Sequence, residues 1–319
     1  MHLWQNIDKT VWQGRDDSAE SPIAKRLFQT VVQAPSFAPQ DYPEHVALLG
    51  FECDEGVRLN KGRVGAKEAP NALRKALANM ADHGSHKPIV DLGNIQFAGE
   101  SLDAVQNVFA SCVTKCHQLG LPTLVLGGGH ETAYAHGKGI FDAYPNQKIG
   151  VINFDAHLDI RTAEMGTSGT PFKQLYQNAK SQDQEFHYLC IGASLPGNTK
   201  ALLATATDMG VEIIWDNECH PGNYAEIATQ IEAFMAKVDI IYLTIDLDAL
   251  PFSEMFAVSA PSAYGVSMKD YLHFADQIMA SNKLKAVDFV EYNPSLDRDQ
   301  LSAKTAARMI WHFYHQWRS

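Results

Sequence analysis

The sequence lacks several features that would assign it to a specialised class of protein. No stretch reaches the ~18 apolar residues of a membrane span, and the first residues show no signal-peptide pattern, which predicts an unexported protein. Long basic runs are absent, and 26 Lys and Arg against 37 Asp and Glu give a net charge of −11. Because phosphate binding needs clustered cations, we expect neither nucleic acid nor a membrane as a partner.

The cysteines form no CxxC pair and no spacing that is typical of a zinc site. Cys53, Cys112, Cys116, Cys190 and Cys219 are an odd number spread over 319 residues. This distribution favours reduced thiols in a cytoplasmic protein. A redox switch is the alternative interpretation, although buried, unreactive cysteines are more common.

The order of apolar and amphipathic segments predicts an α/β fold. From residue 87 onward, short apolar runs alternate with longer amphipathic stretches, which is typical of a mostly parallel sheet with helices on both faces. The predicted strands are 123–126, 149–154, 188–191, 212–215, 240–245 and 286–290, and the predicted helices are 104–119, 224–237, 269–280 and 305–317. No linker divides the chain, so we expect one domain over residues 1–319 with a proline-rich, irregular N-terminal arm at 1–45.

Candidate metal ligands follow three of the predicted strands, at the edge where open α/β sheets bind their ligands. Strand 123–126 runs into GGGHE at 127–131, which contains His130. Taken alone, this segment also fits a tight strand-to-helix turn with an incidental histidine. Its position beside the two clusters described next favours a functional role.

The second cluster contains Asp155, His157 and Asp159, directly after the apolar segment 151–154. On an extended strand the outer two residues would lie ~13 Å apart, so we expect the chain to leave the strand near His157. A capping aspartate with a solvated histidine is the alternative. It fits poorly, because unpaired buried carboxylates are costly.

The third cluster contains Asp246 and Asp248, at the end of the apolar run 240–245. On an extended strand they would share one face with backbones ~6.6 Å apart, which suits two metal ions that share a bridging carboxylate. A pair of surface aspartates is the alternative, but Asp246 interrupts an apolar run instead of following it.

Together the three clusters supply two imidazoles, four carboxylates and no thiolate. Such a donor set favours Mn²⁺, with Fe²⁺ or Co²⁺ as alternatives, over structural Zn²⁺. Without metal, four clustered aspartates would repel one another. We therefore expect the metal-free site to be less stable than the loaded one.

The motifs GGGHE at 127–131, DAHLD at 155–159 and DLD at 246–248, in this order, resemble the metal-binding motifs of the arginase/agmatinase (ureohydrolase) family. VEYNP at 290–294 resembles the segment whose glutamate holds the amidine-type head of the substrate in that family. The resemblance covers roughly residues 46–319. It implies an arginase-like three-layer α/β/α domain with two Mn²⁺ ions per subunit at the carboxyl ends of the strands, and a homo-oligomer, although the N-terminal arm could equally cover a monomer.

The resemblance also implies a role for each motif residue. The metal ligands would be the bridging Asp155 and Asp246, with His130 and Asp159 on one metal and His157 and Asp248 on the other. A water between two cations loses a proton near neutral pH, and the resulting hydroxide would attack the C=N carbon of the substrate. Glu291 would be the catalytic carboxylate that orients the cationic group of the substrate.

Departures from the arginase pattern indicate the substrate. Arg161 and Ser168 stand where arginases carry an asparagine and a proton-relaying histidine. Arg161 would bind a substrate carboxylate through a bidentate pair, and Ser168 would line the substrate site; a solvated Arg161 is the alternative. Segments 54–57, 62–66, 249–251 and 258–261 resemble the formimidoylglutamase branch. We therefore predict hydrolysis of N-formimidoyl-L-glutamate to L-glutamate and formamide, a step of histidine degradation.

Other functions remain open. An agmatinase or guanidinobutyrase would use the same metals and release urea, and a non-catalytic relative would bind metal only for stability. A dinuclear phosphoesterase would need a more cationic pocket than this acidic chain suggests. Arg63 and Lys67 are weaker candidates for binding the second substrate carboxylate, and His136 is expected on a helix surface.

Overall fold

The computed structural model describes residues 3–317, in which a ten-stranded sheet forms the centre of the fold. The strands are β1 (Trp4–Gln5), β2 (Val32–Gln33), β3 (Val46–Glu52), β4 (Ile89–Gln96), β5 (Thr123–Leu126), β6 (Ile149–Phe154), β7 (His187–Ala193), β8 (Glu212–Trp215), β9 (Ile240–Asp246) and β10 (Leu284–Val290). Their order is β1-β4-β3-β5-β10-β9-β6-β7-β8, and β2 also pairs with β4. Apart from the antiparallel pair of β1 with β4, the strand pairs are parallel.

Helices cover both faces of the sheet. They are α1 (Leu27–Thr30), α2 (Glu55–Leu59), α3 (Ala69–Ala78), α4 (Leu102–Gln118), α5 (Glu131–Ala143), α6 (Pro171–Ser181), α7 (Lys200–Met209), α8 (Tyr224–Met235), α9 (Met268–Ala280) and α10 (Leu301–Gln316). Neighbouring strand residues such as Leu48 and Leu49 belong to two different apolar clusters, because successive strand side chains point to opposite faces. One cluster includes α4 to α7 and the other includes α3 and α8 to α10. The predicted three-layer α/β/α architecture is confirmed.

The predicted elements are largely confirmed. Strands β5, β6 and β8 have the predicted bounds, and β7, β9 and β10 are longer than predicted by one or two residues at an end. Helix α10 begins four residues earlier than predicted, at Leu301. Within residues 3–317, none of the helices combines the length and the hydropathy needed to cross a bilayer.

The segment predicted to be an N-terminal arm forms part of the sheet and of the apolar core. Residues 1 and 2 lie outside the described part of the chain, and residues 3–45 are mostly irregular, as predicted. However, β1 and β2 extend the sheet beside β4, and Trp12 and Leu27 are buried in one of the apolar clusters. The segment therefore contributes to the core.

A buried ion pair joins α3 to β4. The guanidinium of Arg74 donates to both carboxylate oxygens of Asp91, at 2.7 and 2.9 Å, and to Oδ1 of Asn94 at 2.7 Å. Asp91 also accepts a hydrogen bond from the indole of Trp12 at 2.7 Å. Neither member of the ion pair is exposed to solvent. Their hydrogen bonds satisfy charges that would otherwise be costly in the interior.

The strand order determines where a ligand can bind. Strands β5, β10, β9 and β6 are adjacent at the centre of the sheet. The chain forms β3 and β4 before it reaches β5, and they lie on one side of the centre; after β6 it continues outward through β7 and β8 on the other side, and it then returns to the centre with β9 and β10. A crevice forms at the carboxyl ends of the strands where the direction of winding changes. The loops after these four central strands therefore meet at one place.

Candidate metal centre and substrate cavity

His130 follows the glycine turn at the end of β5. A Cβ on Gly128 would lie 1.8 Å from the carbonyl oxygen of Cys53, so only glycine fits against the end of β3. The turn is held by Gly129 N, which donates to Cys53 O at 3.0 Å, and by Glu291 N, which donates to Gly128 O at 2.8 Å. These contacts fix His130 at the start of α5, where its side chain faces the crevice between the strands.

Asp155, His157 and Asp159 lie in the loop after β6. The strand ends at Phe154, its predicted last residue, so the chain leaves it three residues before His157, where we expected the departure. Oδ1 of Asp155 accepts a hydrogen bond from His157 N at 2.7 Å. Asp159 has φ +46°, a left-handed conformation that is unfavourable for a residue with a side chain. The turn at Asp159 brings its carboxylate back toward His130.

Asp246 and Asp248 are placed differently from the predicted extended pair. Asp246 is the last residue of β9, but Asp248 lies in a short 3₁₀ turn, Leu247–Ala249. Oδ1 of Asp246 accepts from Asp248 N at 2.8 Å and so caps this turn. The predicted extended arrangement was wrong because a side-chain cap of this kind competes with strand geometry.

The six side chains converge on two adjacent positions. Nδ1 of His130 lies 3.0 Å from Oδ2 of Asp159, 3.0 Å from Oδ2 of Asp246 and 3.3 Å from Oδ2 of Asp155. Nδ1 of His157 lies 3.4 Å from Oδ1 of Asp155 and 3.5 Å from Oδ2 of Asp248. Within each group the candidate ligand atoms lie within 4.8 Å of one another. Asp155 belongs to both groups, one oxygen facing each.

The donor atoms of this cluster fit divalent cations. Nδ1 of His130 and Oδ1 of Asp248 are buried without a hydrogen-bond partner. Nε2 of His130 lies 3.2 Å from the hydroxyl of Thr244; a proton on Nε2 leaves the Nδ1 lone pair facing the carboxylates. Burial raises the pKa of Asp246 well above its usual range, and Asp248 and Asp155 raise it further by repulsion. A cation would bind the unpartnered donor atoms and reduce the repulsion between the carboxylates. The oxygen-rich donor set with imidazole suits Mn²⁺.

A cavity of about 320 Å³ opens over this cluster. Its walls include four of the six candidate ligands together with three residues predicted to contact substrate: His157, Asp159, Asp246, Asp248, Arg161, Ser168 and Glu291. His130 and Asp155 are fully buried and do not line the cavity. The volume suits a small, polar substrate.

Glu291 lies at the end of β10 in a left-handed conformation, with φ +69°. Its Oε1 accepts a hydrogen bond from His130 N at 2.7 Å, which orients the side chain beside the candidate ligands. Burial raises the pKa of Glu291 well above its usual range, and repulsion from Asp246 and Glu131 adds to this effect. A cationic group in the cavity would favour the ionised form.

Arg161 and Ser168 occupy another wall of the cavity. Arg161 N donates to Gly169 O at 2.9 Å, and the hydroxyl of Ser168 accepts from Nδ2 of Asn60 at 3.1 Å. Among residues 3–317, no side chain forms a hydrogen bond or ion pair with the Arg161 guanidinium. This cation is therefore available to a ligand.

The sequence did not identify every residue of the cavity wall. Asn60, Lys61 and Gly62, which follow α2, and Ser259 and Ala260, which follow β9, also line it. Gly62, Ser259 and Ala260 lie in loops whose sequences indicated the substrate, whereas Asn60 and Lys61 carry no local motif; only the folded chain brings all five to the cavity wall.

Two weaker candidates for carboxylate binding do not line the cavity. Arg63 donates from Nε to Ser259 O at 3.0 Å and also binds Val258 O, so it holds a neighbouring loop in place. Lys67 is exposed outside the cavity. The expectation that they contribute cations to the site was wrong. Both residues follow Gly62, which lines the cavity, but nearness in sequence does not determine which side of a loop a side chain occupies.

His136 was expected on a helix surface, but it is fully buried. Its Nδ1 lies 2.6 Å from Oδ2 of Asp288, and its Nε2 lies 2.8 Å from the hydroxyl of Thr123. These partners lie on β10 and β5, beneath α5. The carboxylate of Asp288, which compensates for the burial of His136, is distant in sequence, so the residue pattern of the helix could not indicate it.

Comparisons with known proteins agree with this geometry. Residues 44–315 match the model of the arginase family. The chain is 49% identical over 317 residues to a formimidoylglutamase of Photorhabdus laumondii and 50% identical over 318 residues to one of Salmonella arizonae; these matches cover 99–100% of this chain and 100% of both relatives. The solved structure of Trypanosoma cruzi formiminoglutamase with Mn²⁺ is 25% identical, with a TM-score of 0.81 over 92% of this chain and 98% of that one.

Proposed function

The chain belongs to the arginase family, and we propose that it hydrolyses N-formimidoyl-L-glutamate to L-glutamate and formamide, a step of histidine degradation. The observation that carries the proposal is one small cavity that combines the cluster of six candidate ligands, the buried carboxylate of Glu291 and the unpaired guanidinium of Arg161. The full-length similarity to formimidoylglutamases supports the same substrate.

We propose that the six convergent side chains hold two Mn²⁺ ions. His130 and Asp159 would hold one ion and His157 and Asp248 the other, and Asp155 and Asp246 would be ligands of both; among the candidate groups, Asp155 belongs to both and Asp246 to that of His130. When bound, such a pair supplies Lewis acidity and lowers the pKa of water enough to make it a nucleophile near neutral pH.

The residues around this centre would position the reacting amidine. The oxygen of water becomes the carbonyl oxygen of formamide, the bond from the formimidoyl carbon to the glutamate nitrogen breaks, and that nitrogen takes up a proton. Glu291 would accept hydrogen bonds from the amidine N–H groups and hold the formimidoyl carbon toward the ligand cluster. Its fixed bond from His130 N restricts where these N–H groups can lie.

Arg161 would bind a carboxylate of the substrate, and the Ser168 hydroxyl would complete the same wall. A guanidinium matches the planar geometry of a carboxylate, and the absence of a protein partner within residues 3–317 leaves its donors free. A cationic tail, as in agmatine, would instead be repelled at this position. The alternative reading as an agmatinase is therefore less consistent with the cavity, and a merely structural metal centre would not need Arg161. A guanidinobutyrase, whose substrate ends in a carboxylate, is separated from the proposed function by the assay below.

The function can be tested by supplying manganese-loaded protein with N-formimidoyl-L-glutamate, agmatine and 4-guanidinobutyrate in parallel, with a chelated sample as control. We expect metal-dependent formation of glutamate and formamide from the first compound alone, quantified by chromatography. Urea from either guanidino compound, with the first compound unchanged, would support the alternative. No turnover of any compound by metal-loaded protein would support a non-catalytic role.

We expect Arg161→Met to raise KM for N-formimidoyl-L-glutamate about 10- to 100-fold, since a hydrogen bond to a charged group contributes ~1.5–3 kcal/mol. Steady-state kinetics would separate this effect from kcat, which should change little, and Arg161→Lys should restore part of the affinity. Arg298→Met removes the same charge at an exposed position outside the cavity and serves as the control. An unchanged KM would show that Arg161 is only a solvated side chain.

Two further properties complete the proposal. We propose that the protein acts in the cytoplasm, where its five buried cysteines, which form no disulfide among residues 3–317, would stay reduced. We also propose a homo-oligomer, which light scattering of the purified protein would reveal. Both rest on the family membership and on the cysteine pattern.

A further inference from the structure

Lys61 occupies a position in which glycine is usual. It follows the C-cap residue Asn60 of α2 and has φ +62°. Lys61 N donates to Arg58 O at 3.1 Å and Gly62 N donates to Val57 O at 2.8 Å, the paired hydrogen bonds of a Schellman motif. The left-handed position of this motif favours glycine, because a Cβ is unfavourable there. A lysine at this position therefore calls for a role of its side chain.

The loop around Lys61 is fixed on two sides. Asn60 donates to the hydroxyl of Ser168 at 3.1 Å, which connects the loop to the segment that also contacts Arg161. On the other side, a Cβ on Gly62 would lie 2.6 Å from Oγ of Ser259, so the loop packs closely against the segment after β9. The position of Lys61 at the cavity wall is thus determined by contacts on both sides.

Among the described residues that line the cavity, two side chains are permanently cationic, those of Lys61 and Arg161. Neither forms a hydrogen bond or an ion pair with another side chain in the described chain, residues 3–317. The other charged groups on the wall are the carboxylates of Asp159, Asp246, Asp248 and Glu291. A dicarboxylate entering this acidic cavity needs a cation for each of its carboxylates.

We propose that Lys61 binds one carboxylate of the substrate while Arg161 binds the other. This inference rests on the proposed function and extends it to the second carboxylate. An ammonium offers three donors on a flexible stem, so it can follow a carboxylate on a rotatable chain, whereas the planar guanidinium fixes the other end. The two cations together would select a dicarboxylate over substrates with one acidic group.

The decisive variant is Lys61→Gly, because it removes the cation and also supplies the residue that the backbone favours. We expect an unchanged or higher melting temperature, and a KM for N-formimidoyl-L-glutamate raised about 10-fold, the effect of one charge-assisted hydrogen bond. The Kd for L-glutamate, measured by calorimetry, should rise by a similar factor. Lys61→Arg should keep most of the affinity, and Lys67→Met, on the same segment but outside the cavity, should have no effect.

Substrates that lack one carboxylate would assign the pairing. N-formimidoyl-4-aminobutyrate lacks the α-carboxylate and N-formimidoyl-L-2-aminobutyrate lacks the side-chain carboxylate. If each cation binds one carboxylate, Lys61→Gly lowers kcat/KM for only one of these compounds and Arg161→Met lowers it only for the other. Equal sensitivity of both compounds to Lys61→Gly would contradict a specific pair and indicate a general electrostatic effect.

The outcomes distinguish this inference from the proposed function. Wild-type turnover of N-formimidoyl-L-glutamate with the same KM in Lys61→Gly would overturn the role of Lys61 and leave the function intact. A wild-type protein that is loaded with manganese but neither hydrolyses this substrate nor binds L-glutamate would overturn both.

Discussion

Replacing Asp155 by asparagine is expected to reduce kcat/KM for N-formimidoyl-L-glutamate by ~10³-fold or more, since each tenfold loss corresponds to ~1.4 kcal/mol and a metal centre supplies several kcal/mol. Asp155 faces both His130 and His157, one with each carboxylate oxygen. An amide in its place would remove negative charge from both candidate cation positions while preserving the volume of the side chain. Among the six candidate ligands, Asp155 is the one that the two groups share.

The measurement combines steady-state kinetics with the metal content of the dialysed protein. We expect Asp155→Asn to retain less manganese than the wild type and to gain less thermal stability when Mn²⁺ is added. Asp208→Asn, at an exposed position of α7, removes the same charge without approaching the site. Full turnover and full metal content in Asp155→Asn would refute the central position of this carboxylate.

Replacing Arg74 by methionine is expected to lower the free energy of unfolding by ~3–5 kcal/mol, the typical cost of removing one partner of a buried ion pair. Methionine restores part of the apolar volume, but it leaves the carboxylate of Asp91 without its bidentate partner in the interior. Asn94 also loses a hydrogen bond. The substitution would loosen the contact between α3 and β4. Strands β1 and β2 pair with β4, so their positions would be affected as well.

Urea denaturation followed by circular dichroism would measure this loss. Arg58→Met is the matched control, since Arg58 forms an ion pair with Glu55 at the surface and its side chain is 60% exposed. The control should change stability by no more than ~0.5 kcal/mol. Similar stability losses in the two variants would show that the burial of Arg74 does not determine the contribution of its ion pair.

Strands β5 to β10 could be predicted because most of them are buried apolar runs, whereas the equally buried β3 and β4 were not among the predicted strands. Strands such as β5 and β6 are continuous apolar runs with clear ends, and polar residues begin where each strand stops. The same feature indicated that His130, Asp155 and Asp246 would meet at one edge of the sheet. The structure brings these side chains within hydrogen-bonding distances of one another.

Features that depend on long-range contacts could not be predicted. Strands β1 and β2 are only two residues long and exist because β4 offers its edge. Lys61 lines the cavity because α2 ends in a left-handed turn at this residue. A lysine in the sequence does not indicate such a turn. Likewise, His136 can be buried because the carboxylate of Asp288, 152 residues away in sequence, lies 2.6 Å from its Nδ1. In each case the partner that determines the position is remote in the chain.

The order of the strands also governs when the protein can acquire metal during synthesis. The ribosome releases β5 and β6 early, yet β10 and β9 lie between them in the sheet. A nascent chain that ends before these late strands cannot hold His130 and Asp155 at their observed separation, and its carboxylates remain dispersed. If the cluster holds metal as proposed, the complete site can therefore form only after β9 and β10 have been synthesised and have entered the sheet between β5 and β6.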